Sequence, residues 1–258
     1  MDNNDALIGH TGFVGSNLLL QREFAASFNS SSIGDIDGRS FDDVVCAGVS
    51  AVKWWANQNP DEDRIRIESL MRQLETIRAR NFTLISTIDV YKSPLGVSET
   101  DAPELAGLHA YGSNRVMLER FVAKRFENHQ IVRLPALFGT GLKKNAIYDL
   151  MHGNRVAVIN PASSFQWYPL GRLASDLHRA RTHSLSLLNL ATEPLVMEEI
   201  RQRFFAESPM GAEAAAEAHY DMRTIHDEAF GGDGGYIVNR DAVLEAIGRF
   251  VEAPGSAQ

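Results

Sequence analysis

The sequence is short of most features that mark a special class of protein. Its 258 residues contain one cysteine, Cys46, so no disulfide framework can form and a reducing compartment, the cytoplasm, is the expectation. No apolar run approaches the roughly 18 residues of a membrane-spanning helix. The opening Met1-Asp2-Asn3-Asn4-Asp5 is acidic where a secretory signal would be basic. Basic residues are in deficit, 25 Lys and Arg against 33 Asp and Glu, giving a formal charge of −8, and they are scattered along the chain. Neutralising phosphates takes a concentrated basic face, so a nucleic-acid partner is not expected. Among the eight histidines there is no metal-ligand spacing; His178 and His183 stand five apart, off a common helical face, and no metal is expected.

What is present is an ordinary globular composition, 44% hydrophobic and 22% charged, enough to bury a core. Through the first half, short apolar runs alternate with helical stretches, the pattern of βα units stacked into a parallel α/β sheet. Strands are expected at Ala6-Leu7-Ile8, Asp43-Val44-Val45-Cys46-Ala47, Phe82-Thr83-Leu84-Ile85-Ser86 and Ile131-Val132-Arg133-Leu134. A helix is expected from Asn59-Pro60-Asp61-Glu62, where a capping side chain, a proline at the first helical position and two carboxylates coincide, burying Ile67, Leu70, Met71, Leu74 and Ile77. A second runs from Tyr111 to Glu127, with Tyr111, Arg115, Leu118 and Val122 on one stripe. Prolines break the second half into short pieces around one more strand near 185–191. There Gly211 to Ala218 reads as a solvated helix or a loose insertion, Gly231 to Gly235 as a flexible loop, Asn239 to Phe250 as a closing helix, and Pro254 to Gln258 as a fraying end.

The first strand runs into Gly9-His10-Thr11-Gly12-Phe13-Val14-Gly15 and then a helical stretch from Ser16 to Phe24. A phosphate pair needs backbone N–H groups at a helix start and no side chains in the way, which this spacing supplies. The alternative is a tight strand-to-helix turn with no ligand; the strand before and the helix after favour dinucleotide binding. Further on, Tyr111-Gly112-Ser113-Asn114-Arg115 sets a phenol and a guanidinium one helical turn apart. A phenol with an ordinary pKa of about 10 becomes a useful acid or base near neutrality only if positive charge stabilises the phenolate, and Arg115 can supply it. Thr87, just after a strand, is suited to hold the substrate oxygen. The competing reading is a core tyrosine covered by an arginine stem.

These residues, in this order, resemble the extended short-chain dehydrogenase/reductases, the NAD-dependent epimerase/dehydratase group that acts largely on sugar nucleotides. The resemblance runs from Ala6 to about Ala191. It comprises the loop Gly9 to Gly15, the segment Gly34-Asp35-Ile36-Asp37, Val45-Cys46-Ala47-Gly48, Ser86-Thr87-Ile88-Asp89-Val90-Tyr91, the Tyr111 helix and Arg133-Leu134-Pro135-Ala136-Leu137-Phe138-Gly139. It implies a Rossmann-type doubly wound parallel sheet: a dinucleotide-binding domain over 1–140, with the strand near 185–191 added, and a small, mainly substrate-binding region over 141–258, the two interleaved. It assigns NAD or NADP to Gly9, Thr11, Gly12, Phe13, Val14, Gly15, Asn29, Ser30, Asp35, Ile36, Ala47, Gly48, Tyr111, Arg115, Leu134 and Pro135. It makes Tyr111 the acid/base, Thr87 the group that positions the reacting oxygen, Asp89 a second acid/base or a plain loop carboxylate, and Asn145, Phe165, Gln166 and Trp167 the residues toward a sugar nucleotide or a smaller relative. A homodimer pairing through the Ile67 and Tyr111 helices is a further expectation.

Three departures qualify the resemblance. Arg115 stands where the family has a lysine, keeping the charge but changing its shape. Ile88 and Asp89 occupy the positions of the dehydratases' Asp-Glu pair, and isoleucine cannot protonate a leaving hydroxyl, so dehydration is disfavoured. Asp43 stands only 28 positions after Gly15, too few for the usual pair of strand-helix units, so the chain is expected to be short for the family and trimmed in its adenosine half. The trimmed segment leaves NAD against NADP open. The implied activity is an NAD(P)-dependent oxidoreductase or epimerase; the alternative is a catalytically weak NAD(P)-binding regulatory or assembly protein.

Overall fold

The computed structural model describes residues 4–253; Met1 to Asn3 of the acidic opening, and the end expected to fray, lie outside the described residues. In chain order the elements are β1 (Ala6–Ile8), α1 (Phe13–Leu19), β2 (Ala26–Phe28), β3 (Ser40–Cys46), α2 (Lys53–Gln58), α3 (Pro60–Thr76), β4 (Arg78–Thr87), α4 (Ala110–Arg125) and β5 (His129–Leu134). They continue with β6 (Ala136–Phe138), α5 (Ala146–His152), β7 (Ser164–Phe165), β8 (Trp167–Pro169), α6 (Leu173–Thr182), β9 (Leu187–Asn189), β10 (Leu195–Val196), α7 (Met197–Phe204) and α8 (Arg240–Glu252). The chain forms two compact units, the first from residues up to 93 with 101–134 and 173–189, the second from 94–100, 135–172 and 190 onward.

The first unit is built on a six-stranded parallel sheet in the order β2-β1-β3-β4-β5-β9. Residues 6–8, 44–46, 82–84 and 130–134 of its inner strands are buried one after another because both faces are covered. Ala6, Ile8, Val44, Cys46, Phe82 and Leu84 share one core with Ile67 and Leu74 of α3 and Leu118 and Val122 of α4. Their neighbours Leu7, Val45 and Thr83 point the other way and are also buried, none more than 1% exposed. The lone cysteine lies in this layer, where burial pushes its thiol up to about 11, so it stays protonated and unreactive at neutral pH. The span between α1 and β3 holds one strand, β2, and the 3-10 turn Ile33–Ile36 stands where a crossover helix would otherwise return the chain to the sheet.

One helix start and one helix cap differ from the sequence expectation. Helix α1 begins at Phe13, inside the glycine loop, and ends at Leu19. Helix α3 does start at Pro60, with Asp61, Glu62 and Asp63 in its first turn, but Asn59 does not cap it. The Asn59 amide instead donates back to the Trp55 carbonyl at 2.9 Å, because α2 ends immediately before and its last carbonyls compete for the same side chain.

The second unit pairs β6 with β8 and β7 with β10, alongside α5, α7 and α8. The segment 211–218 is neither helix nor loose: Glu213 and Ala215 donate N–H bonds of 2.9 and 3.0 Å to the carbonyls of Ala157 and Val158. The glycine run 231–235 is a tight turn, with the Gly235 N–H on the Asp227 carboxylate at 2.7 Å. A Cβ on Gly232 would stand 1.9 Å from the Tyr236 carbonyl oxygen, so the turn packs against its own backbone. Helix α8 closes the unit, capped by Asn239.

Candidate active site

The glycines sit at the carboxyl end of β1, where the sheet order reverses and ligands of such sheets bind. Gly9 adopts φ +89°, and a Cβ there would lie 2.4 Å from the Ala47 carbonyl oxygen. A Cβ on Gly15 would lie 2.1 Å from the Gly9 carbonyl oxygen, so only glycine lets α1 close on the loop. Gly12 is the N-cap of α1 with no side chain over it, which leaves the first-turn N–H groups of Phe13, Val14 and Gly15 without intrahelical partners. Gly9, Thr11, Gly12, Asn29, Ser30, Ala47 and Gly48 line one cavity of about 470 Å³, the size of a small-molecule site. Its apolar wall is Ile8, Ile33, Val49, Ile67 and Leu70, and Ser50, Asp63, Arg66 and Ser69 complete it; none of the last four was expected from sequence. Asn29 Oδ1 is occupied by the N–H groups of Ser31 and Ser32 at 2.9 and 3.2 Å. Asp35 is exposed on the 3-10 turn, and Ile36 is buried in the core. Leu134 ends β5, buried, and Pro135 belongs to the second unit.

In the same unit, Tyr111 is the second residue of α4. His109 caps this helix, its Nδ1 accepting the Gly112 N–H at 3.0 Å, while Asn57 Oδ1 of α2 accepts the Tyr111 N–H at 3.0 Å. Tyr111 is 6% exposed, and Thr87, at the end of β4, is among the groups that act on its phenol. Burial pushes the phenol above its ordinary value; the Arg115 charge opposes this, Asp89 adds to it, and Thr87 and the Lys53 charge pull it down. Asp89 N–H donates to Thr87 Oγ1 at 3.2 Å, and Asp89 Oδ1 holds Lys53 Nζ at 2.6 Å.

Arg115 lies over the Tyr111 ring, its guanidinium carbon 3.8 Å from the ring centroid. Its donors, however, are spent elsewhere. Both Nη atoms bond the Asp63 carboxylate, Nη2 at 3.0 Å to Oδ1, and they also reach the carbonyls of Ser50 at 2.6 Å and Tyr111 at 3.2 Å. The guanidinium thus forms a planar, bidentate lock between α4, α3 and the cavity wall. Lys53, from the short helix α2, is another site residue that sequence reasoning missed; its one signal is a lone cation in the apolar run Val52-Lys53-Trp54-Trp55.

The expected substrate residues all fall in the second unit and are internally engaged. Asn145 caps α5, accepting the Tyr148 N–H at 3.0 Å and donating to the Leu137 carbonyl at 2.8 Å. Gln166, 1% exposed, donates to the carbonyls of Thr192 and Met222 and accepts the Met222 N–H, joining three separate segments of the chain. Phe165 packs edge-on against Trp167 at 5.8 Å, and Trp167 is buried with an unpartnered indole N–H.

No protein-family model matches the chain, and no curated protein does. Solved structures do. A dTDP-4-dehydrorhamnose reductase from Bacillus anthracis in complex with NADP superposes with a TM-score of 0.74 at 15% identity, over 98% of this chain and 99% of that one. A UDP-N-acetylglucosamine 4-epimerase from Bacillus cereus gives 0.66 at 15% identity, over 95% and 98%. MoeE5 in complex with UDP-glucose and NAD gives 0.68 at 18% identity, over 97% and 98%. The match spans almost the whole of each neighbour, so the expected shortness does not set this chain apart from them. Among the described residues no helix is long and apolar enough to cross a membrane. At such identities the likeness is one of fold: the chain shares the Rossmann-type architecture of these sugar-nucleotide reductases and epimerases.

Proposed function

We propose that the protein is an NAD(P)-dependent reductase or epimerase acting on a sugar nucleotide or a related small carbinol or carbonyl compound. The observation that carries this reading is a buried Tyr111 phenol under the influence of Thr87, Arg115 and Lys53, in the unit that also holds the glycine-lined cavity. The cavity suits a dinucleotide: partnerless amides at the start of α1 for a pyrophosphate, no Cβ in the way, and an apolar wall of Ile33, Val49 and Leu70 for a base. The neighbours solved with NADP and with NAD support that cofactor class without choosing between its members.

A bound nicotinamide would supply or accept hydride. The chain's own work is then proton transfer: Tyr111 gives its proton to a carbonyl oxygen in reduction or takes one from a carbinol in oxidation, and Thr87 holds the same oxygen in line. Ile88 is 4% exposed hydrocarbon beside them, so the acid that dehydration needs is missing there. Replacing Tyr111 by phenylalanine is expected to lower turnover by about 10²–10⁴-fold while the dinucleotide Kd, measured by calorimetry, stays within a few fold. Full turnover in that variant, or no binding of NAD(H) or NADP(H) at millimolar concentration, overturns the reading. The locked Arg115 favours a second one, a dinucleotide-binding regulatory or assembly protein with weak catalysis, which tight binding without turnover on a panel of sugar nucleotides would support.

A further inference from the structure

The phenol of Tyr111 has two cations near it, and they are held in opposite ways. Arg115 is 5% exposed at its side chain, with Nη donors committed to Asp63 and to two backbone carbonyls; it cannot turn toward the phenol oxygen without abandoning a buried carboxylate. Lys53 is 39% exposed, on a flexible four-carbon stem, and its ammonium sits 2.6 Å from Asp89 Oδ1. Asp89 in turn is joined to the proton-transfer pair: its N–H donates to Thr87 Oγ1, and its Oδ2 lies 3.5 Å from the same hydroxyl. Lys53, Asp89 and Thr87 therefore form one bonded line leading in from the surface, and all three act on the Tyr111 phenol.

We propose that Lys53, brought in from α2 and steered by Asp89, is the adjustable cation of the proton-transfer site, beside an Arg115 whose charge is locked in place in the position where the family's lysine stands. The proposal rests on the enzymatic reading of Tyr111. Lys53 is a positioning residue in it: with Asp89 it forms a nearly neutral pair beside the phenol, and removing either member leaves the other's full charge there. The groups facing the phenol are Arg115 on its own helix, Lys53 on α2, and Asp89 and Thr87 after β4; His109, the cap of α4, feels Lys53 and Asp89 as well.

The same pair can thus be read at two probes. Lys53→Met leaves Asp89 uncompensated, so the pH at which turnover in the oxidative direction is half-maximal should rise by about one unit, and the His109 imidazole, followed by NMR, should titrate at higher pH. Lys53→Arg keeps the charge and should return both toward the native values. The double variant Lys53→Met with Asp89→Asn removes both charges and should do the same, which a mere packing defect would not. Profiles and His109 titration that do not move in Lys53→Met, or a double variant displaced as far as the single one, overturn the proposal. If Tyr111→Phe turns over normally, the enzymatic reading is what fails, and the His109 titration alone then decides whether the pair sets the field at this helix end.

Discussion

Helix α4 carries two buried ion pairs one turn apart, and their difference separates support from site. Arg115 pairs with Asp63 across to α3, at side-chain exposures of 5% and 3%; Glu119 pairs with Arg133 of β5, at 5% and 4%. Burial does not distinguish them, but their surroundings do. Glu119 and Arg133 belong to a closed polar cluster, in which Ser86 donates to Glu119 at 2.5 Å, Arg133 donates to the Tyr91 hydroxyl at 2.7 Å and Asn189 to the same hydroxyl at 3.2 Å. This cluster ties the carboxyl ends of β4, β5 and β9 to α4 and fixes the helix over the sheet. The Arg115 pair borders the cavity and the phenol, so the same chemistry has a site on its doorstep.

The comparison breaks most violently at Glu119. Glu119→Ala strands a guanidinium that cannot lose its proton, and chemical denaturation should register a loss of about 3–5 kcal/mol. Arg115→Met strands Asp63 instead, and a stranded carboxylate can take up a proton, so the loss should be smaller, about 3 kcal/mol or less, and should shrink further as pH is lowered. Equal, pH-independent losses in the two variants would mean that the pairs are interchangeable props. Arg115→Lys, which retains charge but not the fork, should fall between Arg115→Met and the native protein.

The parts of this site that could be read from sequence are those fixed by local sterics and periodicity. Gly9 and Gly15 are legible because a Cβ at either would strike backbone, and the Tyr111, Arg115, Leu118, Val122 stripe because a helix face repeats within a few residues. What was hidden depends on distant pairing. Asp63, unmarked in the sequence reading, meets Arg115 52 positions away; Lys53 reaches Asp89 across 36. The orientation of Arg115 was illegible for that reason: nothing nearby in the chain announces the carboxylate that turns it from the phenol. Likewise a glutamine between two aromatics reads as a ligand grip, yet Gln166 uses its amide to stitch backbone. Strand β2, three residues long, and α2, six, are too brief to show a period.

The smallest effect sharpens the contrast at the start of the same helix, where a neutral group does what charge does further along. His109 holds the first turn of α4 by accepting the Gly112 N–H, which requires an unprotonated Nδ1. Burial lowers its proton affinity, helped by the Lys53 and Arg115 charges and opposed by Asp89. The unfolded chain, with an ordinary value of 6.5, therefore binds the proton before the folded one does. The stability this cap contributes is complete above pH 6.5 and is lost as pH falls through the lower folded-state value. His109→Asn supplies an acceptor that does not titrate. Melting curves across this window should show the native protein losing more Tm on acidification than the variant, while the pairs at Arg115 and Glu119 are intact in both; parallel curves would mean that the imidazole is not the cap on which the Tyr111 turn depends.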